Sequence, residues 1–202
     1  MRIRKLKITI GILVASLAAT TLLQGCVAPV LVAGAAAGVA GVAIIGEQRP
    51  VEVALDDKNI ESRAAQAIND DPALAKDVKV GVTSYYYVVL LTGQVPNEAA
   101  RQRVLQHVSS IGKITNIHDH LEIAPPALFS QRSRDARTTA RVKRALTAED
   151  GMTSATYIKV VTEKDTAYLM GRVHREEAEQ ASAIVQNVEG VSMIVLVFEY
   201  LD

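Results

Sequence analysis

The sequence predicts an α+β protein made of two tandem αββαβ units, each a small mixed three-stranded sheet with two helices packed on one face. Three observations carry this. Residues 60–124 laid over residues 138–202, an offset of 78, bring Gly93 onto Gly171, Gly112 onto Gly190 and Val95 onto Val173. Two glycines repeating at one spacing, among matching apolar positions, mark an internal repeat. Each copy then opens on apolar residues at helical spacing: Ile60, Ala64, Ala67 and Ile68 in the first, and Thr138, Val142, Ala145 and Leu146 in the second. After each opening helix come two runs of β-branched and aromatic residues, at about 78–83 and 85–92 and again at about 156–162 and 166–171.

The elements follow in order. Arg2, Arg4, Lys5 and Lys7 form a basic start, and Ile8 to Leu23 is apolar apart from Thr, Ser and Gly. This is the layout of an export signal, cleaved and left out of the fold. It ends on Leu23-Gln24-Gly25-Cys26, the only cysteine of the 202 residues. One cysteine excludes an internal disulfide. Residues 27–46 carry no charge and are dominated by Ala, Gly and Val. Their length suits a membrane span, and their weak membrane preference suits a flexible or interfacial tether leading to Pro50. The expected organisation is a signal at 1–25, a lipidated N-terminus and tether at 26–55, a first domain at 56–124, a linker at 125–132 and a second domain at 133–202.

Within each unit, Asp57 and Asp135 are expected as N-caps of the opening helix. The second hairpin is expected to turn at "EKDT", residues 163–166. Gly93 and Gly171 end the second strands, where they supply a conformation or a close approach that a side chain would block. A second helix follows at about 97–110 and 175–188, stopped by Gly112 and Gly190 as C-terminal caps. A last strand closes each unit at about 114–123 and 191–200. Tyr85, Tyr86 and Tyr87 fall in a strand run, so alternation puts Tyr86 on the face opposite the other two. That row reads either as core or as an aromatic contact surface.

Charge and motifs narrow the function. Residues 26–202 hold 18 basic and 22 acidic residues, which is not the balance of a general nucleic-acid binder. The chain has no G-x-S-x-G, H-E-x-x-H, G-x-x-x-x-G-K or C-x-x-C. Nothing in it asks for a cofactor or marks a catalytic residue, and a binding module is expected rather than an enzyme. His118 and His120 share a strand face and read as a solvent-facing pair or as half a metal site. The strongest signal is residues 129–146, "FSQRSRDARTTARVKRAL", with six basic residues and one acid. On a helix from about 134, Arg134, Arg137, Arg141 and Arg144 step by 3, 4 and 3 and form one stripe. Guanidinium groups bind phosphate bidentately, so the stripe beside Leu128 and Phe129 suits an anionic lipid surface. It equally suits a solvated face or a face docked on the acidic first domain.

Two resemblances add to this. Leu23-Gln24-Gly25-Cys26 resembles a bacterial lipobox, which implies that Cys26 becomes the first mature residue and carries a diacylglycerol and an amide-linked, palmitate-type acyl chain. Val27 is not the aspartate that retains lipoproteins at the inner membrane, which implies the outer membrane, periplasmic face. The tandem αββαβ units, each with G-x-V before a helix and a glycine before the final strand, resemble the BON domain. The whole is similar to the DolP-like (YraP-like) family of dual-BON outer-membrane lipoproteins. That resemblance implies binding of anionic phospholipid through the second domain and a part in envelope integrity, division sites included. Arg137 stands where that family often has an aromatic residue entering the bilayer. A periplasmic stress-response chaperone and an adaptor binding an envelope protein through the first domain are the alternatives.

Overall fold

Apolar residues spaced by three and four build the opening helix of the first repeat, α1 (Val51–Asp70), which buries Ala54, Ile60, Ala64 and Ile68. The computed structural model describes residues 49–74, 78–148 and 156–202. Cys26, the lipobox and the segment 27–46 lie outside the described residues. Strands β1 (Lys79–Tyr85) and β2 (Val88–Val95) form an antiparallel hairpin. Helix α2 (Glu98–Ser109) follows, with the Asn97 side chain accepting from the Ala100 N–H at 2.9 Å. Strand β3 (Asn116–Ile123) then returns parallel to β2. The second repeat runs α3 (Phe129–Ala148), β4 (Lys159–Glu163), β5 (Thr166–Val173), α4 (Arg175–Val185) and β6 (Met193–Tyr200). Its strands pair the same way, giving sheets of order β1-β2-β3 and β4-β5-β6. The αββαβ order and the mixed sheets match the expectation.

Each sheet uses one face against its own helices. Val89, Leu91 and Val95 meet Ile60, Ala64, Val104 and Val108, while Leu169 and Val173 meet Val142, Leu146, Ala181 and Val185. The other faces of the two sheets meet each other. Tyr85, Val88 and Leu90 pack there against Tyr168, Met170 and Val197. All of β2 is therefore buried, because it has a helix layer on one side and a second sheet on the other. Each large apolar side chain so enclosed contributes about 1.5–3 kcal/mol. Both repeats belong to one compact unit. Polar groups at the seam are matched across it. The Tyr85 hydroxyl donates to the Tyr157 carbonyl at 2.8 Å. The fully buried Gln94 amide donates to Glu163 at 2.7 Å and accepts from the Ala127 N–H at 2.9 Å.

The structure corrects several expectations. Helix α1 already begins at Val51, inside the segment 26–55, and α3 at Phe129, inside the segment 125–132. Asp57 and Asp135 are thus not N-caps but buried mid-helix residues. Asp57 accepts from the Tyr86 and Tyr87 N–H groups, both at 2.8 Å, from the Ser84 hydroxyl at 2.7 Å and from Arg49. Asp135 accepts from the N–H groups of Lys164 at 3.2 Å and Asp165 at 3.1 Å, and from Gln131 at 3.1 Å. Those N–H groups belong to the hairpin tips. Tyr86 and Tyr87 (φ 51° and 66°) form the first turn and Lys164 and Asp165 (φ 46° and 62°) the second. Positive φ at both central positions is the type I′ pattern, which usually calls for Asn-Gly. Here a charged acceptor takes the turn's N–H groups, a bond class contributing about 1.5–3 kcal/mol, and offsets the left-handed strain. Tyr86 and Tyr87 are therefore turn residues, not alternating strand positions.

The glycines also move. Gly93 lies within β2 at φ +110°, where a Cβ would sit 1.9 Å from the Lys79 carbonyl oxygen. Gly171 lacks the positive φ, but its Cβ would stand 3.0 Å from the Tyr157 carbonyl oxygen. The close approach is thus as expected, though neither glycine ends its strand. Helix α2 stops at Ser110 and α4 at Gln186, ahead of Gly112 and Gly190. The offset of 78 does not reach the chain end. Val88 pairs with Asn116 and Thr166 with Met193, so the last strands are related by 77.

Candidate phospholipid-binding surface

Helix α3 turns Asp135, Thr138, Val142 and Leu146 inward, and this fixes where its cations go. Its single acid, Asp135, is spent inside on the β4–β5 turn. Arg132, Arg134, Arg137, Lys143 and Arg144 are exposed and Arg141 half-exposed. Arg134 donates to the Gln131 side chain. Arg137 Nε donates to the Ser133 carbonyl at 3.2 Å, which leaves the rest of its guanidinium outward. Arg141 differs from the others. It donates to the Glu189 carbonyl at 3.0 Å and lies 4.0 Å from the Glu189 carboxylate. Among the described residues, the other five cations of α3 have no carboxylate partner.

At the start of this helix Leu128 and Phe129 are 75% and 77% exposed, and the Arg132 guanidinium lies 5.7 Å from the Phe129 ring centroid. The surface therefore offers an apolar tip beside a cationic flank. The stripe of Arg134, Arg137, Arg141 and Arg144 forms as the spacing predicts, with Arg141 partly neutralised from its own repeat. Among the described residues the stripe does not dock on the first domain, which meets the second through the sheet faces. Among the described residues no helix is long and apolar enough to cross a membrane.

The other candidates resolve differently. His118 and His120 are half-buried and face the seam, not solvent. The His120 ring meets Tyr168 edge-on at 5.0 Å. Burial, then the neighbouring His120, holds His118 below the ordinary imidazole range. No third metal-ligating group joins the pair among the described residues. A cleft of about 270 Å³ opens at one end of the seam, and the sequence did not point to it. Its charged and amide lining is already paired: Arg172 lies 3.4 Å from Glu199, and Asn116 lies 3.2 Å from His118.

Comparison with known proteins agrees with this architecture. The BON domain family matches residues 56–125 and 134–201. The outer membrane lipoprotein DolP of Haemophilus influenzae is 31% identical over 200 residues, which span 99% of this chain and 97% of that protein. A 21 kDa hemolysin of Actinobacillus pleuropneumoniae is 27% identical over 77% of this chain and 80% of its own length. The osmotically-inducible protein Y of Escherichia coli is 25% identical over 69% and 70%.

Proposed function

The chain belongs to the BON domain family and carries that domain twice, and on that premise we propose that it is an outer-membrane lipoprotein whose second domain binds anionic phospholipid. The observation that carries this reading is the outward face of α3: five cations without a carboxylate partner among the described residues, next to exposed Leu128 and Phe129. Each arginine near an anionic bilayer contributes about 1 kcal/mol, screened by salt. Phe129 and Leu128 suit the interface, where an apolar side chain gains by leaving water. Acyl chains on Cys26 supply the standing attachment, so the arginines need only orient the domain and choose the lipid. The likeness to an outer membrane lipoprotein over nearly the whole chain supports the outer-membrane anchor, and the periplasmic face is proposed with it. A part in envelope integrity, division sites included, belongs to the same proposal, as the resemblance to the DolP-like family implies.

The test is co-sedimentation of unlipidated residues 47–202 with phosphatidylglycerol vesicles and with phosphatidylcholine vesicles. Binding to the first alone, weakening as salt rises and lost in R134E/R137E/R144E, is expected. Arg141 is left in place because it serves Glu189. No binding by the native protein at low salt would remove the phospholipid reading and direct the search to a protein partner.

A further inference from the structure

The two closing strands, β3 and β6, are both edge strands, and an unpaired edge is a template for another strand. They treat that edge differently. In β3 the chain covers itself. The Ile117 N–H donates to the Asn116 side chain at 2.8 Å and the Leu121 N–H to the Asp119 side chain at 3.0 Å. Arg101, reaching over from α2, donates to Asp119 at 2.7 Å. These N–H groups point away from β2. The Ala124 N–H bonds Val95 at 3.1 Å, and alternate residues of a parallel strand face opposite ways.

With the offset of 77, Met193 and Leu196 stand in β6 where β3 has Asn116 and Asp119. Leu196 has no acceptor to offer the backbone, and the Met193 thioether is only a weak one. The Leu201 N–H bonds Val173 at 3.1 Å, so Ile194, Leu196 and Phe198 turn their N–H and C=O groups outward. Among the described residues no acceptor meets those N–H groups. Met193 and Leu196 are 59% and 40% exposed. Glu199 is the only charged residue in β6, "MIVLVFEY". On α4, at an offset of 78, Glu179 replaces Arg101; it is exposed and pairs with no cation among the described residues.

We propose that the outer edge of β6 is a docking site for an extended segment of a partner protein, which adds a strand by backbone hydrogen bonds and carries a lysine or arginine towards Glu179. Strand addition takes its affinity from the main chain and its choice of partner from alternate side chains. The charge decides the occupant. A second copy paired antiparallel on β6 would bring acidic α4 helices with Glu176 and Glu179 towards each other, whereas a basic strand meets them favourably.

The full chain in non-ionic detergent is titrated with a ten-residue peptide of alternating valine and threonine carrying one lysine, and with the same peptide carrying glutamate instead. The lysine peptide is expected to bind up to about fivefold more tightly, the scale of one cross-strand charge pair. It should slow hydrogen exchange at the Ile194, Leu196 and Phe198 amides. L196D and M193N, made separately, restore the covering found in β3 and should each weaken binding by about tenfold or more, with circular dichroism unchanged. The proposal is overturned if those amides gain no protection. It is also overturned if both variants bind as the native chain does, or if the chain dimerises through β6 and excludes the peptide.

Discussion

Helices α1 and α3 hold the same place in their repeats and carry opposite charge. On α1, Glu52, Asp56, Asp57, Glu61 and Asp70 outweigh Lys58 and Arg63. On α3, Asp135 stands alone against Arg132, Arg134, Arg137, Arg141, Lys143 and Arg144. Asp56 is answered by Arg134, Asn59 by Arg137 and Gln66 by Arg144. Asp57 and Asp135 are the acids that coincide, and both are inside, holding a hairpin turn. Burial thus fixes what the repeats share, and solvent leaves the rest free to differ. In this chain the difference is a cationic face on one repeat only.

The comparison is tested hardest at the shared aspartates. D57A leaves Arg49, which is 6% exposed, without that carboxylate, and leaves two turn N–H groups without an acceptor. It should cost about 3–5 kcal/mol, as breaking a buried ion pair does. D135A has only Gln131 and the turn to lose and should cost about 1–3 kcal/mol. Urea unfolding of the two variants gives the difference, and equal losses would show that Arg49 adds nothing.

Next in size is the exchange of the helix faces. Giving α3 the residues of α1, as R134D/R137N/R144Q, removes three cations worth about 1 kcal/mol each at an anionic surface. Vesicle binding should fall by about 3 kcal/mol, and adding salt should then matter less. The inner glycines come third. G93A meets both a backbone oxygen and a positive φ and should cost about 2–3 kcal/mol, whereas G171A, with ordinary φ, should cost about 1 kcal/mol. Thermal melts that rank them the other way would show that neither the φ nor the close approach sets the cost.

The smallest effect distinguishes the repeats by pH. In the first, Asp71 accepts from Arg103, from His107 at 2.7 Å and from the Ala73 N–H at 2.9 Å. Ala181 and Val185 stand in the second where Arg103 and His107 do. Arg103 first, then His107, holds the Asp71 carboxyl well below the usual carboxylate range. A folded pKa below the unfolded one stabilises the fold above the unfolded value, near 3.9, and that stability is lost as pH falls through the folded value. D71N should therefore melt below the native protein at pH 7, and the gap should begin to narrow as pH drops below about 4. A gap that does not narrow between about pH 4 and about pH 2 would assign the loss to packing.

The repeat, the element order and the arginine stripe were legible because each rests on a local period or on a glycine spacing. The helix starts were not. Val51 to Asp56 carries little apolar periodicity, and Asp57 and Asp135 look like caps until the hairpins fold over them. Their coincidence at the repeat offset was a visible sign that both do one buried task. Tyr86 and Tyr87 carry no turn signature, since the residue that permits their positive φ lies 29 and 30 positions away. The guard on β3 was hidden for a different reason. Asn116 and Asp119 are ordinary polar residues until the one-residue shift before β6 reveals which residues replace them.

The aspartate beneath each hairpin also bears on how such a chain diversifies. A two-residue turn normally dictates its own sequence, and a wrong residue there unravels the strands. With the acceptor supplied from a helix far along the chain, each tip holds its left-handed shape without glycine or asparagine. One copy places tyrosines there, with Tyr87 bonding Asp56 at 3.1 Å, and the other a lysine that reaches Glu122 at 2.6 Å. Each tip can therefore carry side chains suited to a separate use without a glycine.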